Sequence, residues 1–487
     1  MSGQVSRRRF LGTGLAGAAV VAFDPLAGSW LTQADAATRT ATPVPSFDGE
    51  LTTDPAALAA AADDYGHLVH RTPRAVLRPG SVRDVVRLIR YANVHRIGVS
   101  VRGQGHSTNG QSQVAAGVVI DSSTLSAVHA IGRDRAVVEA GVIWHDLTTA
   151  ALAHGLTPPV LTDWLDLSVG GTLNVGGIGG TAHRYGFQVD NVLELEVVTG
   201  EGELVRCSPA RHAALFRSVL GSLGQFAVIV RATVRLVPAP AHARGYQLFY
   251  EDLGTYLGDQ RRAALGHRFS SLEGQAQRNR SDTRWEFFVD AAVYYDGTSP
   301  DDAAVTAGLR HDRARTVITE YSFADWVDRL RPTVEFLTSI GVWGLPHPWI
   351  NLFLPAGRTE EVVARTLETL TLADTGQGPV LLYPFLPSRV RAPFVQVPRE
   401  RVAFLFALLR TTVPPTTTAQ QVADNREIYE RARAAGGMRY PVGSVPMTRA
   451  DWVQHFGRDY PAFARAKKAW DPRRLLSPGQ GIFPPPS

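Results

Sequence analysis

Short apolar runs and one helical repeat alternate in the first third of the chain. Residues 75–77 form an apolar run typical of a buried strand, and residues 81–93 then repeat apolar side chains at the spacing of a helix face. Ser81 and Asp84 have the spacing of a helix-capping pair, and Gly98 is expected to end this helix. Further strands are predicted at residues 99–101 and 117–121, in a hairpin of 192–199 with 203–206, and at 226–237.

A second region begins after Pro238-Ala239-Pro240, which has the composition of a domain boundary. Residues 215–220 before it are predicted to be helical. Helical patterns alternate with apolar runs over residues 241–425, and residues 452–470 form one helix by pattern. The mixture of helices and strands predicts an α+β protein of more than one domain.

The N-terminus has the pattern of an export signal. Residues 6–11 contain a twin-arginine motif at Arg7 and Arg8, an apolar stretch covers residues 10–23, and a small-x-small site stands at 34–36. Because the apolar stretch is shorter than the ~20 residues that cross a bilayer, we expect a twin-arginine signal peptide over residues 1–36 and no membrane span. The protein is therefore expected in the periplasm or outside the cell, with a linker at 37–54.

Two glycine-rich segments are candidates for cofactor binding. Residues 103–111 carry three glycines after a predicted strand, so their backbone N–H groups could approach a diphosphate, although an ordinary surface loop has the same composition. Residues 170–180 carry six glycines, which argues against a helix or an ordinary strand. Such a segment is expected to pack flat against a large, planar cofactor.

Charge and cysteine content exclude several classes of protein. The formal net charge is +5, but the acidic residues are interspersed among the arginines, so we expect no nucleic-acid partner. Cys207 is the only cysteine, which rules out an internal disulfide framework and cysteine-rich metal sites. The 14 histidines show no metalloprotease-type spacing, so no metal is expected.

Six segments together resemble the cytokinin dehydrogenases, flavin oxidoreductases of the vanillyl-alcohol-oxidase superfamily. The resemblance covers residues 55–487. It is carried, in the family's order, by RGQGHSTNGQ (102–111), TDWLDLSVGGT (162–172), NVLELEVVTG (191–200), LGQFAVIVR (223–231), HPWINLFLP (347–355) and WDPRRLLSPGQGIF (470–483).

This resemblance implies a PCMH-type FAD domain of two subdomains, built from both ends of the chain. It implies FAD-binding residues at 55–240, an inserted α+β substrate-binding cap with an antiparallel sheet at 241–425, and a return to the FAD domain at 426–487. It further implies a covalent bond between His106 and the 8α carbon of the flavin. Because Cys207 lies in an unrelated hairpin, no second, cysteine-linked bond is expected.

The family's site residues transfer onto matching positions of this sequence. Asp163 corresponds to the catalytic aspartate and Glu273 to the acidic residue at the pocket entrance. Gln104 stands where the family often has arginine, so one cofactor contact is expected to be lost. The positions implied to bind FAD are Val101, Gly103, Gln104, Gly105, His106, Ser107, Gln111, Asp163, Ser168, Asn174, Ile178, Ile229, Tyr440, Ser477 and Gln480.

The implied reaction is the oxidation of a small secondary amine such as N6-isopentenyl adenine, with a quinone-type acceptor or dioxygen reoxidising the flavin. Leu161, residues 174–176 and residues 383–388 depart from the family pattern near the pocket, so the substrate is less firmly indicated than the cofactor. A sugar, alditol or other amine oxidase is the alternative, and an alcohol oxidase would use a base such as His183, Arg184 or His347. A flavoprotein without a small-molecule substrate is a further alternative.

Overall fold

The computed structural model describes residues 20–24, 29–32, 42–279, 283–376 and 378–484. Of the predicted export signal, the twin arginines and the small-x-small site lie outside these residues. Strands β1 (Val20–Asp24) and β2 (Ser29–Thr32) form an antiparallel hairpin, which is extended by β3 (Thr42–Pro43).

The first subdomain holds a four-stranded sheet in the order β4-β5-β7-β6. Its parallel strands pack against one amphipathic helix through Val85, Leu88 and Ile89, all fully buried. Its elements are β4 (Glu50–Thr52), α1 (Pro55–Ala61), β5 (Ala75–Arg78), α2 (Val82–His95), β6 (Val99–Arg102) and β7 (Val118–Asp121). Because β4 pairs with β5, the end of the predicted linker at 37–54 belongs to this sheet.

The second subdomain is built on an antiparallel sheet in the order β12-β11-β13-β9-β8. The predicted hairpin and the helix near residue 215 are present here. The elements are β8 (Val128–Ile131), β9 (Arg135–Glu139), α3 (Trp144–Leu152), β10 (Leu156–Thr157), α4 (Val169–Leu173), α5 (Ala182–Tyr185), β11 (Val192–Thr199), β12 (Leu204–Cys207), α6 (Ala213–Val219), β13 (Ala227–Arg235) and β14 (Val237–Pro238).

The cap is an eight-stranded antiparallel sheet in the order β18-β15-β17-β16-β20-β21-β19-β22. Its elements are β15 (His242–Tyr250), α7 (Leu253–Leu265), β16 (Ser271–Arg278), β17 (Trp285–Tyr295), α8 (Asp302–Thr306), β18 (Asp312–Ser322), α9 (Phe323–Val327), α10 (Arg331–Ser339), β19 (Ile350–Pro355), α11 (Thr359–Leu367), α12 (Leu372–Thr375), β20 (Val380–Phe385), β21 (Ala403–Leu408), α13 (Thr418–Ala434) and β22 (Met438–Arg439). Phe187 of the FAD domain packs against Phe353 and Phe385 of this sheet, so one core joins the two domains.

The C-terminal segment returns to the FAD domain through α14 (Arg449–Phe456) and α15 (Tyr460–Trp470). The buried Lys467 ammonium pairs with Asp471 at 2.9 Å and donates to the Gln225 and Leu476 carbonyls. The Ser477 N–H donates to the Val99 carbonyl, which brings this segment beside β6. These buried polar contacts hold the C-terminal segment against the FAD domain.

Three predicted boundaries are wrong for local reasons. The cap does not end at residue 425, because α13 runs through that position and β22 still belongs to the cap sheet. The helix predicted at 452–470 is two helices, because Gly457 adopts a φ of 49° that breaks the turn. Arg96, with a φ of 55°, rather than Gly98, ends α2.

The predicted capping pair of α2 is also wrong. The Ser81 hydroxyl makes no capping hydrogen bond and instead donates to the Asp48 carboxylate. The buried Asp84 carboxylate accepts from the N–H groups of Asp48, Gly49 and Gly80, and therefore ties the start of α2 to the segment before β4.

Candidate active site

A cavity of about 950 Å³ lies between the FAD domain and the cap. Residues from both domains and from the C-terminal return line its wall. Every residue implied by the sequence to bind FAD lies on that wall, and so do Asp163 and Glu273. These are Val101, Gly103, Gln104, Gly105, His106, Ser107, Gln111, Asp163, Ser168, Asn174, Ile178, Glu273, Ile229, Tyr440, Ser477 and Gln480.

His106 belongs to a stack of aromatic rings at one end of the cavity. Its imidazole stacks on Tyr65 at 4.2 Å between ring centroids, and His347 stacks on the other face of Tyr65 at 4.1 Å. Burial, with a smaller effect of His347, lowers the pKa of His106 to about 3, so the ring is neutral at neutral pH. Within the residues that the structure describes, no group hydrogen-bonds to the His106 ring nitrogens, which leaves their lone pair free for another partner.

The loop that carries His106 presents its backbone to the cavity. The N–H groups of Gln104, Gly105, His106 and Ser107 donate to no atom of the described residues, although the carbonyls of Gly105 and Ser107 accept from Tyr65 and Gly66. Gly105 has a φ of 67°, and a Cβ there would lie 2.3 Å from the Arg102 guanidinium. A run of free N–H groups beside a positive charge is a site for a diphosphate.

Asp64, which was not predicted from the sequence, anchors this loop through hydrogen bonds. Its buried carboxylate accepts from the N–H groups of Gly66 and Gly110 and from the Ser107 hydroxyl. Burial raises the pKa of Asp64 to about 6, against the lowering effect of these hydrogen bonds. No local motif marks Asp64, because two of these partners lie more than 40 residues later in the sequence.

We expect Asp64 to make stability depend on pH. Since its pKa is 3.8 when unfolded and about 6 when folded, the stability it contributes is present below pH 3.8 and is lost as the pH rises through 6. Asp64→Asn should remove this dependence, on the order of 2 kcal/mol in the free energy of unfolding. Urea unfolding at pH 4 and pH 7 tests this, with Asp301→Asn at the exposed cap of α8 as the control. Equal pH dependence in Asp64→Asn and the unsubstituted protein would contradict it.

The glycine-rich segment at 170–180 differs from the prediction. It begins as the short helix α4, capped by the Ser168 hydroxyl, which accepts from the Gly171 N–H. Several of its glycines are needed for close packing against protein: a Cβ at Gly179 would lie 1.8 Å from the Leu161 carbonyl, and one at Gly177 would lie 2.0 Å from the Gln188 side chain. The glycines therefore let protein segments approach one another as well as lining the cavity.

Further polar groups surround the middle of the cavity. The Tyr440 hydroxyl accepts from the Gly177 N–H at 3.0 Å, and burial raises the pKa of Tyr440 to about 12. Asn174 donates to the Gly170 carbonyl, but its Oδ1 atom is buried without a hydrogen-bond partner among the described residues. An unpartnered amide oxygen on the cavity wall is costly unless a bound group supplies a donor.

Asp163 and Glu273 meet on the cap side of the cavity. Their carboxyl groups lie within hydrogen-bonding reach of each other, and the Arg329 guanidinium pairs with Glu273. Burial, helped by the neighbouring charge of Asp163, raises the pKa of Glu273 well above its usual value. The Oδ1 atom of Asp163 is buried and accepts no hydrogen bond from the described residues. This atom is free to accept an N–H group from a substrate.

The carboxyl pair also separates two cavities. A smaller cavity of about 260 Å³ lies behind it, and Asp163, Glu273, Trp326 and Arg329 line both. Its outer wall includes Tyr185, which is 37% exposed.

Gly180 leaves the space that the Glu273 carboxyl occupies. A Cβ at Gly180 would lie 2.5 Å from Glu273 Oε1 and 2.2 Å from Ser271 Oγ. We expect Gly180→Ala to lower the free energy of unfolding by about 1–3 kcal/mol through overpacking. Urea unfolding measures this loss, and Gly132→Ala, whose Cβ would meet only ordinary contacts at 3.6 Å, is the matched control. A Gly180→Ala protein as stable as Gly132→Ala would show that this contact is not tight.

The basic residues suggested for an alcohol oxidase are engaged elsewhere. Both ring nitrogens of His183 lie 3.1 Å from backbone carbonyls, of Gly180 and Phe269, and burial lowers its pKa to about 4. Arg184 donates to the Phe269 carbonyl at 2.9 Å. His347 lies 3.1 Å from the Trp343 carbonyl and 3.3 Å from the Thr411 hydroxyl. Each ring or guanidinium has a structural partner in place of a substrate.

Taken together, the site fits FAD. The cavity joins free backbone N–H groups, a neutral histidine without a hydrogen-bond partner and an orphaned amide oxygen, which suit a diphosphate and a polar ring system. No group of three or more His, Cys, Asp or Glu residues suited to hold a metal ion occurs in the described ranges. Cys207 is buried in β12, outside the cavity wall.

Comparison with known families agrees with this geometry. An FAD binding domain model matches residues 73–208, and the model "Cytokinin dehydrogenase 1, FAD and cytokinin binding" matches residues 269–483. Cytokinin dehydrogenase 10 of Oryza sativa subsp. japonica is 36% identical over 487 aligned positions, which cover 89% of this chain and 88% of the relative. The chain belongs to the cytokinin dehydrogenase family.

Two further proteins are similar to this chain. An uncharacterized oxidoreductase encoded by ORF5 in the fasciation locus of Rhodococcoides fascians is 40% identical, over 88% of this chain and 97% of the relative. The crystal structure of 6-hydroxy-D-nicotine oxidase from Arthrobacter nicotinovorans superposes with a TM-score of 0.69 at 23% identity, covering 90% of this chain and 98% of that one. This likeness establishes a shared PCMH-type fold.

Membership in the cytokinin dehydrogenase family makes the protein an FAD-dependent oxidoreductase acting on CH–NH donors. The expected α+β, PCMH-type architecture is confirmed. Across the residues that the structure describes, no helix is both long and apolar enough to cross a membrane.

Proposed function

We propose that this protein oxidises N6-isopentenyl adenine and related secondary amines at the C–N bond of the isopentenyl group, with FAD bound covalently through His106. The products are adenine and an unsaturated aldehyde, after water has hydrolysed the imine. The named relatives include cytokinin dehydrogenases of rice, which supports a substrate of this class. The observation that carries the proposal is the unpartnered Asp163 oxygen on the cavity wall.

Asp163 supplies the amine specificity in this proposal. A carboxylate oxygen without a donor in the protein accepts the N–H of a secondary amine and holds the adjacent carbon in one orientation. The same carboxylate takes the amine proton as the C–H bond breaks. When bound, FAD accepts the hydride from that carbon. An alcohol substrate would instead need a free base, and His183 and Arg184 are already engaged.

His106 is the attachment point in this proposal. A nitrogen can form a bond to carbon only while its lone pair is free, and burial keeps the imidazole neutral. Attachment would replace one C–H bond of the 8α methyl group and release two electrons, which a quinone-type acceptor or dioxygen would take up. The stack on Tyr65 restricts the plane of the ring. A covalent bond also keeps the cofactor with an exported protein. A quinone-type acceptor or, more slowly, dioxygen would take up the electrons.

The decisive experiment is an anaerobic titration of the purified protein with N6-isopentenyl adenine while its visible absorbance is followed. Bleaching of the flavin band supports both cofactor and substrate class. If the protein is yellow but does not bleach, the amine proposal fails, and sugars, alditols and other amines are tested in the same way. A colourless protein that also fails to bind added FAD would contradict the cofactor assignment.

Export by the twin-arginine route is part of the same proposal. The motif at Arg7 and Arg8 precedes an apolar stretch too short to span a bilayer. Fractionating cells that express the full-length protein should place it outside the cytoplasm, and Arg7→Lys with Arg8→Lys should retain it inside. Equal distribution of the two proteins would refute this route.

A further inference from the structure

Arg329 stands at the centre of a buried cluster of acidic residues. It pairs with Glu273, its Nε atom lies 3.7 Å from Asp290 Oδ2, and its guanidinium covers the Trp326 ring at 4.4 Å. Arg329 follows α9 and lines both cavities, so it reaches the carboxyl groups from the cap side. The family comparison and the sequence motifs assign no role to Arg329 or to Asp290.

The strand register brings two of the acidic residues together. Glu273 of β16 and Asp290 of β17 are direct partners across the antiparallel pair, so their side chains leave the same face of the sheet. Two like charges in this arrangement repel each other unless a positive charge lies between them. Arg329 supplies that charge, and its two contacts fix its guanidinium against both residues.

The charges of the cluster do not balance. Asp163, Glu273 and Asp290 are three carboxyl groups that share the single guanidinium of Arg329. The other titratable groups that face them are two tyrosines, Tyr294 of β17 and Tyr383 of β20, whose pKa burial raises, so they stay neutral. Burial also raises the pKa of Glu273 and of Asp290. A buried group with excess negative charge retains a proton.

Arg329 and Asp163 differ in the contacts that they make. Arg329 pairs with Glu273 and approaches Asp290, while Asp163 Oδ1 accepts no hydrogen bond from the described residues. We propose that Arg329 and Asp290 are positioning residues that hold the Glu273 carboxyl against Asp163 and set how firmly Glu273 keeps its proton. This proposal rests on the proposed amine oxidation for its catalytic meaning. A Glu273 carboxyl that keeps its proton donates it to Asp163 and leaves Asp163 Oδ1 available as an acceptor.

The two positioning residues act on the pair in opposite directions. Removing the positive charge of Arg329 favours protonation of Glu273, and removing the negative charge of Asp290 disfavours it. Arg329→Met should therefore raise the pH at which Glu273 loses its proton by about 1 pH unit or more, and Asp290→Asn should lower it.

The test combines an infrared and a kinetic measurement on the holoenzyme. Without substrate, the infrared difference spectrum against Glu273→Gln should show one carboxylic-acid C=O band at neutral pH. The loss of this band with rising pH then gives the midpoint of Glu273 in the unsubstituted protein, Arg329→Met and Asp290→Asn, and anaerobic stopped-flow reduction by N6-isopentenyl adenine is measured on the same proteins. Arg331→Met is the control, because Arg331 pairs with Asp166 and Asp328 outside both cavities.

Arg329→Lys provides a second variant if Arg329→Met does not fold, and its retained charge should give a smaller upward shift than the loss of charge would. Midpoints that move in the same direction in Arg329 and Asp290 variants, or that do not move, would overturn the proposal. Absence of the carboxylic-acid band would also overturn it. The infrared result needs no substrate, so a protein that shows the band but is not reduced refutes the amine function and leaves the Glu273 proton in place.

Discussion

Asp163→Asn should bind FAD normally and be reduced by N6-isopentenyl adenine at least about 100-fold more slowly than the unsubstituted protein. An amide cannot take a proton, and the loss of a general base costs typically 10²- to 10⁴-fold in rate. Anaerobic stopped-flow absorbance at saturating substrate measures the effect.

Asp166→Asn is the matched control. Asp166 lies three residues later, pairs with Arg331 at 3.0 Å and does not line the cavity. The same chemical change there should leave flavin reduction within about twofold, because a partly exposed ion pair contributes little. If Asp163→Asn is reduced as fast as Asp166→Asn, Asp163 has no part in proton transfer.

His106→Ala should abolish covalent attachment of the flavin. In the denatured protein on a gel, the unsubstituted polypeptide should carry flavin fluorescence and the variant should carry none. The reason is chemical: among the ring nitrogens of the stack, those of His106 have no hydrogen-bond partner in the described residues, whereas both nitrogens of His347 lie close to Trp343 or Thr411. The cavity and the free N–H groups of the loop remain, so the variant should still bind FAD reversibly.

The control for this change is His70→Ala, because the His70 side chain is 60% exposed. It should retain covalent flavin in full. A fluorescent band that survives in His106→Ala would refute the bond at this position, whether or not the variant is active. Extraction of the cofactor with acid before electrophoresis separates bound flavin from covalent flavin in both variants.

Local sequence was sufficient to single out the loop of residues 99–111 as a candidate, and the family resemblance implied its role. The strand, the glycines and the histidine of residues 99–111 are contiguous, so their chemistry is visible without knowledge of the fold. The hairpin of β11 and β12 was predictable for the same reason, since a short turn joins two apolar strands. The local pattern predicted the wrong role for Ser81, because a contact distant in sequence determines it. The Ser81 hydroxyl donates to Asp48 instead of capping α2.

The acidic cluster was only half predictable. Asp163 and Glu273 followed from motifs, but Asp290 and Arg329 stand in no motif and meet them through strand register and the turn after α9. The roles of Asp64 and Tyr65 were not predicted for a similar reason, because the groups that they contact are distant in sequence. Residues that act through another side chain leave little trace in the local pattern.

The sequence by itself determined the chemistry available to this protein: a glycine-rich loop with a histidine, an aspartate in an apolar segment, and a family resemblance that the comparisons confirmed. Only the tertiary structure decided how that chemistry is arranged. It placed the implied site residues around one cavity, left Asp163 Oδ1 without a partner among the described residues and set one arginine among three carboxyl groups. The physical reason is that charge balance and burial depend on distances in space, which hydrophobic periodicity does not encode.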